Sequence, residues 1–226
     1  MEKNIFIVIP VFNEASVVAA VIKGLREKGY KNIIVIDDGS SDTTFAQARS
    51  NGVIALRHKI NRGKGAAVKT GVAAACLLGA DVVVTMDGDG QHCPDDIESL
   101  VQPICCDGID VVLGTRLLKV EGMPLFKILA NQFGNFVTWL FYGIKVSDSQ
   151  SGFRAYSRFA ASKIDTRADK YEYDSKVIRE INHNRLSFVE VPIKVVYTDY
   201  SQGKPQKQGF VNGIKTLVRM VWDMIV

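Results

Sequence analysis

The chain has 226 residues, of which 47% are hydrophobic and 23% are charged, a balance typical of a globular protein. Its 28 Lys and Arg residues against 24 Asp and Glu residues give a formal net charge of only +4 at pH 7. This excess is too small to indicate a nucleic-acid-binding protein, and we expect no nucleic-acid partner.

The first half of the chain alternates short apolar runs with helical patterns. Strands are predicted over 5–10, 32–37, 53–58, 81–86 and 110–115. Helices are predicted between them, over 14–28, 42–51, 64–79 and 94–104. Apolar strands separated by helices predict an α/β fold, in which helices flank both faces of a mostly parallel central sheet.

The second half has a different pattern. A long, aromatic-rich helix is predicted over 123–145, and the polar segment 147–158 follows it. The remaining predicted elements are a helix around 172–183, a strand over 187–197, a loop at 201–209 and a terminal helix. Because no linker separates the halves, and the length is sufficient for one sizeable core, residues 1–226 are expected to form a single domain.

The cysteines and the lengths of the apolar runs favour a cytoplasmic protein over a secreted or membrane-spanning one. The four cysteines, which have no CxxC spacing, are Cys76, Cys93, Cys105 and Cys106. Reduced thiols in a cytoplasmic protein explain them better than a zinc site or disulfides do. No apolar run reaches the roughly 18–20 residues that a membrane-spanning helix needs. Strand-like residues also occupy the position of a secretory leader, so we expect a cytoplasmic protein.

Polar residues follow several of the predicted strands. They are Asn13 and Glu14 after the first strand, Asp37 and Asp38 after the second, Asp87 and Asp89 after the fourth, and Arg116 after the fifth. Ligands of open parallel sheets bind beyond the carboxyl ends of the strands, so a binding site is predicted at this edge. The sequence has no GxGxxG after a strand and no GxxxxGK[ST], which argues against a dinucleotide-binding Rossmann enzyme and a P-loop protein.

The Asp87-Gly-Asp89 motif places two carboxylates at the end of a buried strand. Two acids this close raise each other's pKa unless a cation lies between them. A divalent ion such as Mg²⁺ or Mn²⁺, which prefers oxygen ligands, would remove the conflict. The alternative is a polar turn before a helix that begins at Pro94. The second acidic pair, Asp37 and Asp38, on the same edge favours the metal site.

The glycine-rich segment NRGKGAAVKTG, residues 61–71, opens a predicted helix. Its backbone amides and Lys64 are suited to bind a phosphate at the helix N-terminus. The alternative is that its glycines serve only a tight turn, and the segment by itself does not decide between the two.

Five segments together resemble a known family. They are VIPVFNEASVV, VIDDGSSDTT, NRGKGAAVKTG, MDGDGQHCP and DSQSGFRAY, and they lie within residues 4–200. Their order and spacing are similar to those of family-2 glycosyltransferases of the GT-A fold, most closely the polyprenyl-phosphate sugar transferases. The resemblance implies a metal-dependent, inverting enzyme that moves a sugar from a GDP- or UDP-linked donor to a dolichyl or undecaprenyl phosphate.

The resemblance also implies roles for particular residues. Residues 1–116 would form the nucleotide-sugar-binding half and 117–226 the acceptor-side half. The donor would be bound by Pro10, Phe12, Glu14, Asp37, Asp38, Lys64, Asp87 and Gln91. The metal, Mg²⁺ or Mn²⁺, would be held by Asp87, Asp89 and Gln91. The acceptor phosphate would be bound by Arg116, Arg154 and Lys204, and the catalytic set would be Asp89, Arg116, Asp148, Arg154 and Asp174.

The kind of acceptor decides whether a general base is needed. A polyprenyl phosphate, with a second pKa of about 6, is already largely anionic and needs cations rather than a base. A saccharide hydroxyl of a cell-surface glycan, the alternative acceptor, needs a base, and the candidates are Asp148, Glu172 and Asp174. Two other classes stay open: a sugar nucleotidyltransferase and a non-catalytic nucleotide-sugar sensor.

Two predicted helices carry apolar stripes. One stripe falls within 125–144 and the other within 210–225, where the spacing is typical of an amphipathic helix. Basic residues flank both, so peripheral contact with the inner face of the membrane is one expectation. Core packing, a homo-oligomer seam or a membrane-protein partner are the alternatives.

Two further groups of residues are expected to have ordinary roles. Arg57, His58 and Lys59 lie at the end of the third predicted strand and are predicted to face solvent. His92 lies beside the acidic motif, but the chain has only 3 histidines and offers no ligand set for it, so packing within a turn is predicted.

Overall fold

The computed structural model describes residues 3–116, 135–136, 138–166, 169 and 172–196. Within these ranges the strands are β1 (Ile5–Val11), β2 (Ile33–Asp37), β3 (Ile54–Arg57), β4 (Val82–Thr85), β5 (Val111–Thr115), β6 (Arg154–Ser157) and β7 (Phe188–Pro192). The helices with defined ends are α1 (Val18–Glu27), α2 (Thr44–Ser50), α3 (Lys64–Leu77), α4 (Asp96–Cys106), α5 (Arg158–Lys163) and α6 (Tyr173–His183). Residues 135–136 and 138–142 are also helical.

The strands of the described ranges form one seven-stranded sheet in the order β3-β2-β1-β4-β6-β5-β7. Among these seven described strands, only β6 runs antiparallel to its neighbours, β4 and β5, and the other pairs are parallel. The prediction of a mostly parallel α/β sheet is therefore confirmed. Strands from both sides of residue 116 belong to this sheet.

The central strands β1, β2 and β4 are covered on both faces, which explains why they are nearly continuous apolar runs. Phe6 and Val8 of β1 pack into the cluster that contains residues of α3, α5 and α6. Ile7 and Ile9, which point the opposite way, pack with α1 and α4. Alternate residues of one strand thus enter two cores, and fully burying each such side chain stabilises the fold by roughly 1.5–3 kcal/mol.

The predicted elements of the first half are confirmed to within a few residues, but the second half contains two that were not predicted. Strand β6 and helix α5 both begin inside the polar segment 147–158, where no strand or helix was predicted. Strand β7 ends at Pro192, earlier than predicted. Lys204, the loop 201–209, the stripe within 210–225 and most of the helix 123–145 lie outside the described residues.

No helix in the described part of the chain combines the length and apolar character required to cross a lipid bilayer.

Candidate active site

The site is centred on Asp87, which follows β4 at the carboxyl edge of the sheet. Lys64, the first residue of α3, places its Nζ 2.8 Å from Asp87 Oδ1 and 3.2 Å from Asp174 Oδ2. Asp174 lies in the first turn of α6, so one lysine joins acids from both halves of the chain. Burial alone would lower the pKa of Lys64, but Asp174 and Asp87 outweigh it and raise that pKa. Burial opposes ionisation of Asp87, yet the surrounding positive groups, Lys64 first among them, together outweigh it and lower the pKa of Asp87 to about 2.

The pKa of Asp89 is shifted in the direction opposite to that of Asp87. Its pKa is raised, first by burial and then by the negative charges of Asp87 and Glu14. Its Oδ1 accepts a hydrogen bond from the backbone amide of Gln91 at 3.0 Å. An additional cation beside Asp89 would relieve this repulsion, so the oxygen-rich pair suits Mg²⁺ or Mn²⁺. Among the described residues, no three acidic, histidine or cysteine side chains gather into a metal cage.

His92 contacts the backbone of Asp87 and is buried, which confirms the prediction that it packs within a turn. Its ring stacks on Phe153 with centroids 4.7 Å apart, and its Nδ1 accepts a hydrogen bond from the Asp87 amide at 3.1 Å. Burial is the main reason that its pKa falls to about 4. A neutral ring with an unprotonated Nδ1 therefore fixes the backbone at Asp87.

The carboxylate of Asp38 anchors the glycine-rich loop. It accepts hydrogen bonds from the amides of Arg62 at 3.0 Å and Gly63 at 2.7 Å, and it lies 2.7 Å from His58 Nδ1. The prediction that His58 faces solvent is wrong, because its side chain is only 10% exposed. Its Nε2 is 3.0 Å from Thr70 Oγ1 of α3, so His58 joins the loop, the helix and β3.

Asp37 is fully buried and orders the neighbouring turn. Its Oδ1 accepts a hydrogen bond from the Ser40 amide at 3.0 Å, and its Oδ2 lies 3.0 Å from Arg57 Nε. Arg57 was predicted to face solvent; it is half-exposed, but it also donates to the Ser40 carbonyl and covers the Phe45 ring. Asp37 and Asp38, two of the acids predicted to bind the donor, thus contact protein groups that the sequence did not reveal.

The Asp38 anchor leads to a test on the loop. In Asp38→Asn, amide exchange at residues 58–66 is expected to accelerate by at least about tenfold, because a hydrogen bond to a charged group contributes roughly 1.5–3 kcal/mol. Hydrogen exchange followed by mass spectrometry measures this. Asp42→Asn is the control, since Asp42 accepts from Thr44 at the start of α2 and should leave the loop unchanged. Identical loop exchange in wild type and Asp38→Asn would rule out the anchor.

Arg116 and Asp148 form a two-point ion pair beside the acidic motif. Nε of Arg116 lies 2.7 Å from Asp148 Oδ2, and its Nη2 lies 2.9 Å from Oδ1. Asp148 is buried, whereas the Arg116 side chain is 26% exposed. Arg116 therefore retains access to a ligand, while both oxygens of Asp148, a predicted base, contact a guanidinium.

Arg154 lies in the core and not in the open part of the site. Its side chain is 1% exposed and donates to the carbonyls of Ser149, Ser151 and Asp174. This environment makes it a support for the loop before β6 and for the start of α6. Its predicted contact with a phosphate would require the side chain to leave these carbonyls.

The remaining predicted donor residues lie around the ends of β1 and β4. Glu14 is buried, and its carbonyl accepts from the first amides of the α1 region, Val17 and Val18. Pro10 is in β1, opposite Ile36, and half-buried Phe12 follows that strand. Gln91 contacts Asp89 through its backbone.

Comparison with known proteins shows the family. The family described as Glycosyl transferase family 2 matches residues 6–165. An uncharacterized protein of Methanocaldococcus jannaschii is 42% identical over 98% of this chain and 93% of its own. The UDP-N-acetylglucosamine–dolichyl-phosphate N-acetylglucosaminyltransferase of Methanococcus voltae is 39% identical over 90% of each chain. The polyprenol monophosphomannose synthase of Mycolicibacterium smegmatis is 29% identical, over 90% of this chain and 80% of its own.

A solved structure shares the fold. Glucosyl-3-phosphoglycerate synthase of Mycobacterium tuberculosis, with Mn²⁺, UDP-glucose and phosphoglyceric acid bound, superposes with a TM-score of 0.75. The match covers 96% of this chain and 79% of the synthase at 20% identity, and it confirms the GT-A type of fold. With the family match over most of the chain and these relatives, the protein is a glycosyltransferase of family 2.

Proposed function

We propose that this glycosyltransferase moves a sugar from a nucleoside-diphosphate donor to a polyprenyl phosphate. The observation that carries the proposal is the group of cations and acids at one edge of the sheet, where Lys64 and Arg116 lie beside Asp87. The relatives from Methanococcus voltae and Mycolicibacterium smegmatis, whose names specify polyprenyl acceptors, support it.

The donor diphosphate would bind at the acidic motif together with Mg²⁺ or Mn²⁺. The carboxylate oxygens of Asp87 and Asp89 are of the type that such an ion prefers, and these two residues would hold it. When bound, the metal stabilises the negative charge that develops on the leaving diphosphate. Lys64 and Arg116 are within this region and add positive charge directed at the same group.

The acids of the acceptor side favour a phosphate acceptor over a hydroxyl. Asp148 is bound at both oxygens by Arg116, and Asp174 contacts Lys64. A general base needs an oxygen within about 2.6–3.2 Å of the group whose proton it removes. The carboxylates of Asp148 and Asp174 instead contact the cations of Arg116 and Lys64. An acceptor phosphate needs no such base, and direct attack on the side opposite the leaving group would invert the anomeric centre.

A peripheral position at the cytoplasmic face of the membrane would bring the enzyme to a lipid acceptor. In the helical residues 138–142 and 135–136, the exposed side chains include Phe136, Trp139 and Leu140, while Thr138 and Tyr142 are buried. The rings of Phe136 and Trp139 are 5.9 Å apart. Aromatic and aliphatic side chains on one helix face suit the headgroup region of a bilayer.

The test combines purified protein, Mn²⁺, a polyprenyl phosphate in detergent micelles, and UDP- or GDP-linked sugars, starting with UDP-N-acetylglucosamine. The expected product is a polyprenyl-phosphate sugar, detected by mass spectrometry, with release of a nucleoside diphosphate. Omitting the lipid or adding a chelator of divalent ions should abolish it. Transfer only to a saccharide hydroxyl, or pyrophosphate release from a nucleoside triphosphate and a sugar phosphate, would contradict the proposal.

A further inference from the structure

The carboxylate of Asp174 lies between two cations from different elements. Its Oδ2 is 3.2 Å from Lys64 Nζ, and its Oδ1 is 3.9 Å from Nη2 of Arg154. The side chain of Asp174 is only 4% exposed. Nη2 of Arg154 also donates a hydrogen bond of 3.0 Å to the Asp174 carbonyl, which holds the first turn of α6 in place. The position of this carboxylate is therefore set by the core.

Lys64 needs such a fixed partner because its side chain is long and flexible. A lysine ammonium is a compact charge at the end of a four-carbon stem, and ordering that stem costs conformational entropy. Here Asp87 contacts Nζ from the donor-side half and Asp174 contacts it from the acceptor-side half. Two carboxylates from opposite sides restrict the ammonium to one position next to the acidic motif.

Gly152 leaves the space in which this ammonium lies. A Cβ at position 152 would be 2.5 Å from Lys64 Nζ and 2.9 Å from Asp87 Oδ1. The backbone there is held by a hydrogen bond from Thr85 Oγ1 to the Gly152 carbonyl at 2.8 Å. An alanine at 152 would therefore displace the Lys64 ammonium and crowd the Asp87 carboxylate, while Asp174 keeps its charge and its place in α6.

We propose that Asp174 is a positioning residue that holds Lys64 against Asp87, and that it is not the proton acceptor of the transfer reaction. The inference rests on the proposed function, because it assumes that a nucleoside diphosphate binds beside Asp87. In this role Asp174 acts on the donor, although it lies in the acceptor-side half. Its loss should weaken nucleotide binding even when no acceptor is present, which loss of a general base would not do.

A double-mutant cycle tests this with Lys64→Gln, Asp174→Asn and the combined variant. Calorimetry measures the Kd for UDP or GDP in the presence of Mn²⁺, with no acceptor. Asp174→Asn should weaken binding about tenfold, or about 1.4 kcal/mol. The combined variant should bind within about twofold of Lys64→Gln, because Asp174 acts only through the lysine.

Two more variants complete the design. Gly152→Ala should reproduce the loss of affinity with Asp174 intact, so the test survives if Asp174→Asn fails to fold. The same change in the Lys64→Gln background measures any separate effect on Asp87 and should add at most about twofold. Asp95→Asn, in a surface ion pair with Lys28, is the control and should bind like wild type. In the folded variants, the pH profile of kcat should keep its wild-type shape while the donor KM rises.

The inference would be overturned if either Asp174→Asn or Gly152→Ala bound the nucleotide with wild-type affinity. A reshaped pH profile of kcat in Asp174→Asn with unchanged affinity would make Asp174 a base. If wild type fails to glycosylate a polyprenyl phosphate, the proposed function fails, yet the binding cycle can still be read because it uses no acceptor.

Discussion

Replacing Asp89 by Asn is expected to lower kcat for sugar transfer by roughly 10²–10³-fold, equivalent to about 2.7–4 kcal/mol of transition-state stabilisation. The substitution keeps the size of the side chain but removes the charge that would hold a divalent ion at the leaving diphosphate. Asp89 tests the metal-binding role more specifically than Asp87, because replacing Asp87 would also break its ion pair with Lys64. Steady-state kinetics with saturating donor and Mn²⁺ measure the effect.

Metal binding gives this prediction a second readout. Mn²⁺ titration followed by electron paramagnetic resonance, with nucleoside diphosphate present, should show weaker binding in Asp89→Asn. Asp95→Asn, which removes an exposed acid outside the site, should match wild type in both assays. Full Mn²⁺-dependent activity in Asp89→Asn would refute the assignment of the motif to the leaving group.

Replacing Arg154 by Met is expected to lower the free energy of unfolding by about 3–5 kcal/mol, the cost of removing one partner from a buried charge pair. The side chain is 1% exposed, so no water can replace its donors. The carbonyls of Ser149 and Ser151 would lose their hydrogen bonds, and Asp174 would lose one of its two cations. Urea unfolding followed by circular dichroism measures the change.

Arg158 is a matched control for this experiment. It also donates to backbone carbonyls, those of Ala80 and Gly79, but its side chain is 59% exposed. Water can take over these hydrogen bonds, so Arg158→Met should cost no more than about 1 kcal/mol. Equal losses in the two variants would mean that burial of Arg154 does not determine its contribution to stability.

The elements of the first half could be predicted because each leaves a local pattern. A strand buried on both faces must be apolar at nearly every position, and the helices between such strands end at glycines. Gly29, Gly52 and Gly79 follow α1, α2 and α3 with φ of 87°, 66° and 84°, a conformation that favours glycine. These signals are contained within a few consecutive residues.

Strand β6 could not be predicted in this way. It has only four residues, Arg154–Ser157, and begins with a charged side chain. It is a strand because it lies antiparallel between β4 and β5, whose residues are distant in the sequence. A short polar segment takes the conformation that its neighbours in the sheet require, and no local pattern records those neighbours.

The sequence by itself determined the apolar strands, the acidic motif and the residue types at the carboxyl edge of the sheet. Only the tertiary structure decided which of these side chains meet: Asp38 with His58, Asp148 with Arg116, and Lys64 with Asp174. The last pair is separated by 110 positions. Secondary structure follows from interactions between near neighbours in the sequence. These side-chain contacts form for another reason: both halves of the chain pack on one sheet, and a polar group that loses water there must find a polar partner within the protein.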